Sequence, residues 1–253
     1  MKPMKNTLLL AMVAAACAAV GTAQADVVDI QFAGTGYYAG AAGSFSGNEG
    51  AYTGDGVVAP TWNVLTVANT ATSGSMSSLV ASDGTATTEA VSFTAAGSYD
   101  SGFQQTSPNN NLLDGFIKSA GPSTVTLTGL TAGGSYDLYL YGQNGGFNNN
   151  GATFSISTGT GSPITGSNAV TANPSASSGT FQENANYVIF SATANASGTL
   201  GVNWITTPGK SEGDFNGLQV ISTAAAVPEP ASMGLLGAGA LGLLLLGRKR
   251  KTA

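Results

Sequence analysis

Between Asp26 and Val227 no stretch repeats its apolar residues with the 3.6-residue period of a helix, whereas short runs alternate with a period of two. Val125-Thr126-Leu127-Thr128 alternates, as does Tyr136-Asp137-Leu138-Tyr139-Leu140-Tyr141. Further runs are Val27 to Phe32, Trp62 to Val67, Ala90 to Thr94, Ala152 to Ile156, Tyr187 to Ala192, Leu200 to Ile205 and Phe215 to Ile221. They are short, rich in β-branched and aromatic residues, and bounded by turn formers such as Asp83-Gly84, Gly133-Gly134 and Asn144-Gly145-Gly146. Strands without intervening helices pair antiparallel, which predicts an all-β fold: about eight to ten strands in an antiparallel β-sandwich of jelly-roll type. Thr and Ser at alternate positions suit a sheet with one wet face. Trp62 and Trp204 fall inside strand patterns and are expected in the core. Leu112 to Lys118 is read as a single helical turn. The Gly-rich stretches Gly34 to Gly56 and Gly142 to Gly151 carry too many aromatics for spacers and are read as loops.

The two ends have a different character. In residues 1–25, Lys2 and Lys5 precede an apolar run from Leu8 to Val20, and Ala23-Gln24-Ala25 supplies the small-x-small pattern of a signal-peptidase site, with Ala23 and Ala25 as its small residues. This reads as a signal peptide handed to the export translocon and then to signal peptidase. Cys17 is not read as a lipidation site, because Ala14-Ala15-Ala16 lacks the leucine expected three residues before it. The β-domain is assigned to 26–222 and a linker to 223–230. The apolar segment 231–247 is 17 residues long, about 25 Å as a helix, so it is read as a transmembrane helix. Residues 248–253 form a basic cytoplasmic tail in which Arg248, Lys249, Arg250 and Lys251 stop transfer.

Charge and composition exclude several functions for the domain. Its only basic residues are Lys118 and Lys210, against twelve Asp and Glu, a net charge of −10 compared with −5 for the whole chain. Such a surface repels phosphate backbones, so no nucleic-acid partner is expected. Cys17 lies in the signal and the chain has no histidine, which removes disulfides, thiolate or imidazole metal sites and Ser-His-Asp chemistry.

Val227-Pro228-Glu229-Pro230, an apolar segment and a basic cluster follow one another in that order. The prolines hold the entry extended and stop a helix from propagating backwards. A bare tail anchor needs only the apolar run and the basic stop. With Pro228-Glu229-Pro230 added, the segment resembles the PEP-CTERM sorting signal of Gram-negative bacteria. That resemblance implies an exosortase-type membrane transpeptidase as partner, a membrane-held intermediate, and delivery to the cell surface or extracellular matrix, often with exopolysaccharide or biofilm.

Asp29-Ile30-Gln31-Phe32, Trp62-Asn63-Val64-Leu65, Tyr136 to Gly142, Asn186 to Phe190 and Asp214 to Val220 together resemble galactose-binding-like β-sandwiches. In carbohydrate-binding members of that kind, loop aromatics and amides grip sugars, often beside a structural calcium. On this chain the resemblance nominates Tyr37, Tyr38, Tyr52, Phe147 and Asn148, the last opening an Asn148-Asn149-Asn150 run. The plainer alternative is that these rings cap the sandwich and the asparagines shape turns. Calcium needs clustered oxygens. Asp55, Asp83 and Asp214 flank glycines and are the candidates, while isolated Asp-Gly pairs ordinarily form turns. No other cofactor is expected. A carboxylate-dependent glycoside hydrolase would need two converging acids, with Glu49, Glu183 and Glu212 available by chemistry alone. The leading expectation is a non-catalytic structural or adhesive surface protein, then a polysaccharide-binding module, then a hydrolase.

Overall fold

The alternating runs become strands because period-two side chains can bury one face only by pairing into a sheet. The computed structural model describes residues 26–35, 50–54, 57, 60–100, 112–113, 115–119, 121, 123–143, 150–170 and 181–223, all within one compact unit, Ala25–Ala224. Fourteen strands lie among them.

Six form the first sheet: β1 (Val27–Thr35), β2 (Trp62–Ala68), β8 (Ser135–Tyr141), β10 (Thr160–Pro163), β11 (Tyr187–Thr193) and β14 (Gly217–Ser222), in the order β10-β11-β8-β14-β1-β2. Five form the second: β3 (Ser73–Ser77), β4 (Ala90–Thr94), β7 (Ser123–Thr128), β9 (Ala152–Thr158) and β12 (Leu200–Thr206), in the order β3-β4-β7-β12-β9. A small third sheet joins β13 (Gly213–Phe215), β6 (Gly115–Ser119) and β5 (Gly97–Asp100).

One apolar core takes the inward residues of the two larger sheets: Val28, Ile30, Phe32, Leu138, Leu140, Val188, Phe190, Leu218 and Val220 from the first, and Val91, Phe93, Val125, Leu127, Phe154, Val202 and Trp204 from the second. Phe215 joins it from the small sheet and meets Phe154, Trp204 and Phe32 edge-on, at centroid distances of 4.9, 5.3 and 5.4 Å. Each such ring stabilises the fold by about 1.5–3 kcal/mol through burial, with edge contacts adding to that. Trp204 and Trp62 are both buried, as the strand patterns indicate.

Three features depart from the sequence reading. First, β1 and β2 are parallel, with Asp29 opposite Trp62 and Phe32 opposite Leu65. The connection 36–61 is long enough for the crossover that parallel pairing demands. Second, Leu112 to Lys118 is not one helical turn: Leu112 is helical and Leu113 lies in a turn, but the chain is extended from Gly115 on. Gly115–Ser119 is a strand, and Lys118 pairs with Gly97 on one side and Asp214 on the other. Third, Phe215 to Ile221 is two strands in different sheets, broken at Asn216. At the break the Asn216 main chain still pairs, its N–H donating to Tyr141 O (2.9 Å) and its carbonyl accepting from the Phe32 N–H (2.8 Å), and its side chain ties down the neighbouring chain. Its Nδ2 donates to the carbonyls of Leu113 (3.0 Å) and Gly115 (2.9 Å), and its Oδ1 accepts from the Gln143 N–H (2.6 Å).

Candidate functional site

Period-two geometry sends Leu138 and Leu140 of β8 into the core and Asp137, Tyr139 and Tyr141 to the opposite face of the six-stranded sheet. Register then assembles two rows across that face. Ile189, Tyr139, Gln219, Asp29 and Trp62 stand opposite one another in sequence, and the next row runs Tyr187, Tyr141, Gly217, Gln31, Val64. In a domain whose outward strand positions are mostly Thr and Ser, these rows concentrate rings, amides and a carboxylate.

Asp29, Gln31 and Gln219 are buried although they point away from the core. A strap, residues 50–54, is bonded to Gln219 and to Tyr141, while Gln31 Nε2 donates to the Leu112 carbonyl at 3.4 Å. Gln219 Oε1 accepts from the Tyr52 N–H at 3.0 Å and also from the Tyr141 hydroxyl, while Gln219 Nε2 donates to Tyr52 O at 3.2 Å and to Asp29 Oδ1 at 2.9 Å. The Ala51 N–H donates to the Tyr141 hydroxyl at 2.7 Å. Gly50 is required at the start of this strap: its φ is +116°, and a Cβ there would come within 2.7 Å of the Gln219 side chain. Burial pushes the Tyr141 phenol well above its ordinary range, the nearby Asp29 charge adds to that, and the bond from Ala51 opposes it.

Beyond the strap the face is aromatic. Tyr139 and Tyr187 stack, with centroids 5.8 Å apart and planes 21° apart, and Tyr52 leans on Tyr139 at 5.7 Å and 58°. Phe181 closes one side against Tyr141 at 5.2 Å. Tyr52, Tyr139 and Tyr187 are half-buried, so ring surface remains open to solvent. Burial raises the Tyr139 and Tyr187 phenols, and neighbouring charge raises them further: Asp137 and Glu183 act on Tyr139, and Glu183 acts on Tyr187. The Asp137 carboxyl is itself pushed up by burial. These phenols therefore stay neutral, and the face combines flat apolar rings, hydroxyls and negative charge.

Of the residues nominated from sequence for sugar contact, Tyr52 lies on this face, held by the strap rather than standing at a free loop tip. Tyr37, Tyr38, Phe147 and Asn148 lie outside the described residues. So do Asp55 of the calcium trio, the signal-cleavage residues Ala23 and Ala25, the motif Val227 to Pro230, and Arg248 to Lys251. Asp83 is exposed and accepts from the Thr85 N–H at 2.8 Å, a bond that holds its carboxyl below the usual range. Asp214 is buried in β13. No group of three or more His, Cys, Asp or Glu among the described residues could hold a metal.

Among the hydrolase candidates, Glu49 lies outside the described residues, Glu183 adjoins the tyrosines, and Glu212 is engaged elsewhere. Glu212 pairs with Lys118 at 3.0 Å and accepts from Asn150 Nδ2 at 3.3 Å. Burial alone would lower the Lys118 ammonium, but the bond and charge of Glu212 outweigh it and hold it above its ordinary value, and the ammonium sits 4.5 Å over the Tyr99 ring. Sequence reasoning passed over Glu89. It lines a pocket of about 250 Å³ with Asp26, Thr85, Thr87, Thr88 and Thr131, and burial followed by the Asp26 charge raises its carboxyl to about 7. It also passed over Tyr139, Tyr187 and Gln219, although Gln and Tyr at outward positions of otherwise Thr/Ser strands were a usable signal.

The segment after the domain decides delivery. Residues 226–251 match the PEP-CTERM protein-sorting motif. The motif implies export, engagement of an exosortase and the secretion machinery, and a cell-surface or extracellular destination. No curated protein and no solved structure matches the chain. No helix among the described residues is long and apolar enough to cross a membrane, and the apolar part of the sorting motif, 231–247, lies outside them.

Proposed function

We propose that this chain is an exported β-sandwich, of galactose-binding-like jelly-roll type, that serves a non-catalytic structural or adhesive role at the cell surface or in the extracellular matrix. The sorting motif at 226–251 carries this reading, because it commits the chain to the exosortase route whatever the domain does on arrival. In this reading 231–247 holds a membrane intermediate, and processing at Pro228-Glu229-Pro230 releases or transfers the domain. Intact mass and fractionation of the native chain beside a Pro228-Glu229-Pro230 to triple-alanine variant test it. The native chain should have lost its tail, and the variant should retain the tail in the membrane. Tails retained in both would leave an ordinary tail-anchored protein.

A second reading, extracellular polysaccharide binding, is favoured by the open rings of Tyr52, Tyr139 and Tyr187. Flat rings bury the C–H faces of pyranoses, and phenols and amides pair with their hydroxyls. Saturable glycan binding that disappears in Tyr139→Ala and Tyr187→Ala supports it. Binding that survives both substitutions would remove the tyrosine face from consideration.

A further inference from the structure

If the tyrosine face is a polysaccharide platform, its charge selects among polysaccharides. Asp137 lies two residues before Tyr139 on the same face of β8, and Glu183 lies beside Tyr187. Both carboxylates are close enough to Tyr139 to act on its phenol, which places two negative charges around one stacked ring pair.

The chain offers little cation of its own. Between Asp26 and Val227 only Lys118 and Lys210 are basic, and Lys118 is engaged by Glu212 and Tyr99. An acidic glycan would meet repulsion here without a compensating arginine or lysine. An ammonium would gain on each count. It pairs with the carboxylates and lies favourably over a tyrosine ring.

We propose that the tyrosine face binds an amino-sugar polymer with free amines, stacking its pyranose rings on Tyr139 and Tyr187 while Glu183 and Asp137 take the ammonium groups. This rests on the platform reading, and the experiment separates the two. The probes are a glucosamine oligomer, its fully N-acetylated counterpart and a polygalacturonate oligomer. Each is titrated calorimetrically into the exported protein, purified with its ends as the cell leaves them, at a pH acid enough to protonate the amines. The glucosamine oligomer should bind about 10-fold or more tighter than the N-acetylated one, the scale of one charge-assisted bond, and polygalacturonate should not bind.

Glu183→Gln should erase that preference while preserving the thermal transition and residual binding of the N-acetylated oligomer. Tyr139→Ala should abolish both. Asp83→Asn, an equal change of charge on an exposed turn, should leave the preference intact and so exclude diffuse attraction between a polycation and an acidic protein. Equal binding of the acetylated and free-amine oligomers, with Glu183→Gln silent, would overturn the amine inference and leave the platform standing. Equal losses in Glu183→Gln and Asp83→Asn would overturn it as well. Failure of every oligomer to bind would end the platform reading and this inference together.

Discussion

Glu89 gives the domain a pH-dependent stability that can be worked out from its surroundings. The carboxyl lies in a pocket walled by threonine and alanine, and Asp26 is the other titratable group on that wall. Burial and the Asp26 charge raise it from 4.5 to about 7, so the folded state prefers the protonated acid. A carboxyl raised on folding contributes stability that is fully present below pH 4.5 and is lost as pH rises through 7. A rise of this size corresponds to about 3 kcal/mol, and residual contact with water brings the expected figure to about 1–3 kcal/mol. Urea unfolding of the parent should therefore show stability falling by that amount between pH 4.5 and 8. Glu89→Gln, which keeps the shape and removes the charge, should flatten the slope and exceed the parent at pH 8. Asp137, also raised by burial, leaves a smaller slope at the acid end in both proteins. A Glu89→Gln protein whose stability tracks the parent across the whole range would refute the reasoning.

Other positions make sharper demands. Asn216→Ala strands two carbonyls and one N–H inside the fold and should cost about 3 kcal/mol or more in chemical denaturation. Phe215→Ala opens a cavity beneath Phe154, Trp204 and Phe32 and should cost about 3–5 kcal/mol by the same assay. Gly129→Ala combines a φ of +79° with a Cβ driven into the Thr88 carbonyl, and a thermal melt should show it less stable than alanine substitution at the open position Gly121. Cleavage after Ala25 would put an α-ammonium on Asp26 at the wall of the Glu89 pocket. A chain beginning at Asp26 should show Glu89 titrating at lower pH, by carboxyl NMR, than one that retains Ala23-Gln24-Ala25.

The runs Val125 to Thr128 and Tyr136 to Tyr141 were legible as strands because one face of each had to be apolar. Ser73–Ser77, Gly97–Asp100 and Thr160–Pro163 were not. They are edge or small-sheet strands rich in Gly and Ser, whose few larger side chains, such as Met76 and Tyr99, write no apolar alternation into the sequence. The parallel pairing of β1 with β2 was hidden for another reason: strand direction depends on where the chain returns after 36–61, and no local pattern records that. Leu112 to Lys118 misled because Leu112, Leu113, Phe116 and Ile117 can be drawn on one helix; Leu112 does lie in one, while the small sheet offered Ile117 and Lys118 backbone partners on both sides. Tyr52 was legible as an aromatic in a Gly-rich loop. Its alignment with Tyr139 and Tyr187 was not, because it depends on Gln219, 167 residues away in sequence.

The strap at 50–54 is tied to the sheet by main-chain hydrogen bonds at Ala51 and Tyr52. Gln219 and Tyr141 grip the N–H of Ala51 and the N–H and carbonyl of Tyr52, that grip dictates Gly50, and Ala51 packs against the cluster of Trp62, Leu112, Leu113 and Tyr141. Anchorage and recognition are thus encoded in separate places. The hydrogen-bonding anchor resides in β8 and β14, deep in the fold, and at position 52 it uses the main chain, so these bonds would survive exchange of one ring for another. The exposed face can in this way change one of its rings while the scaffold beneath is inherited unchanged.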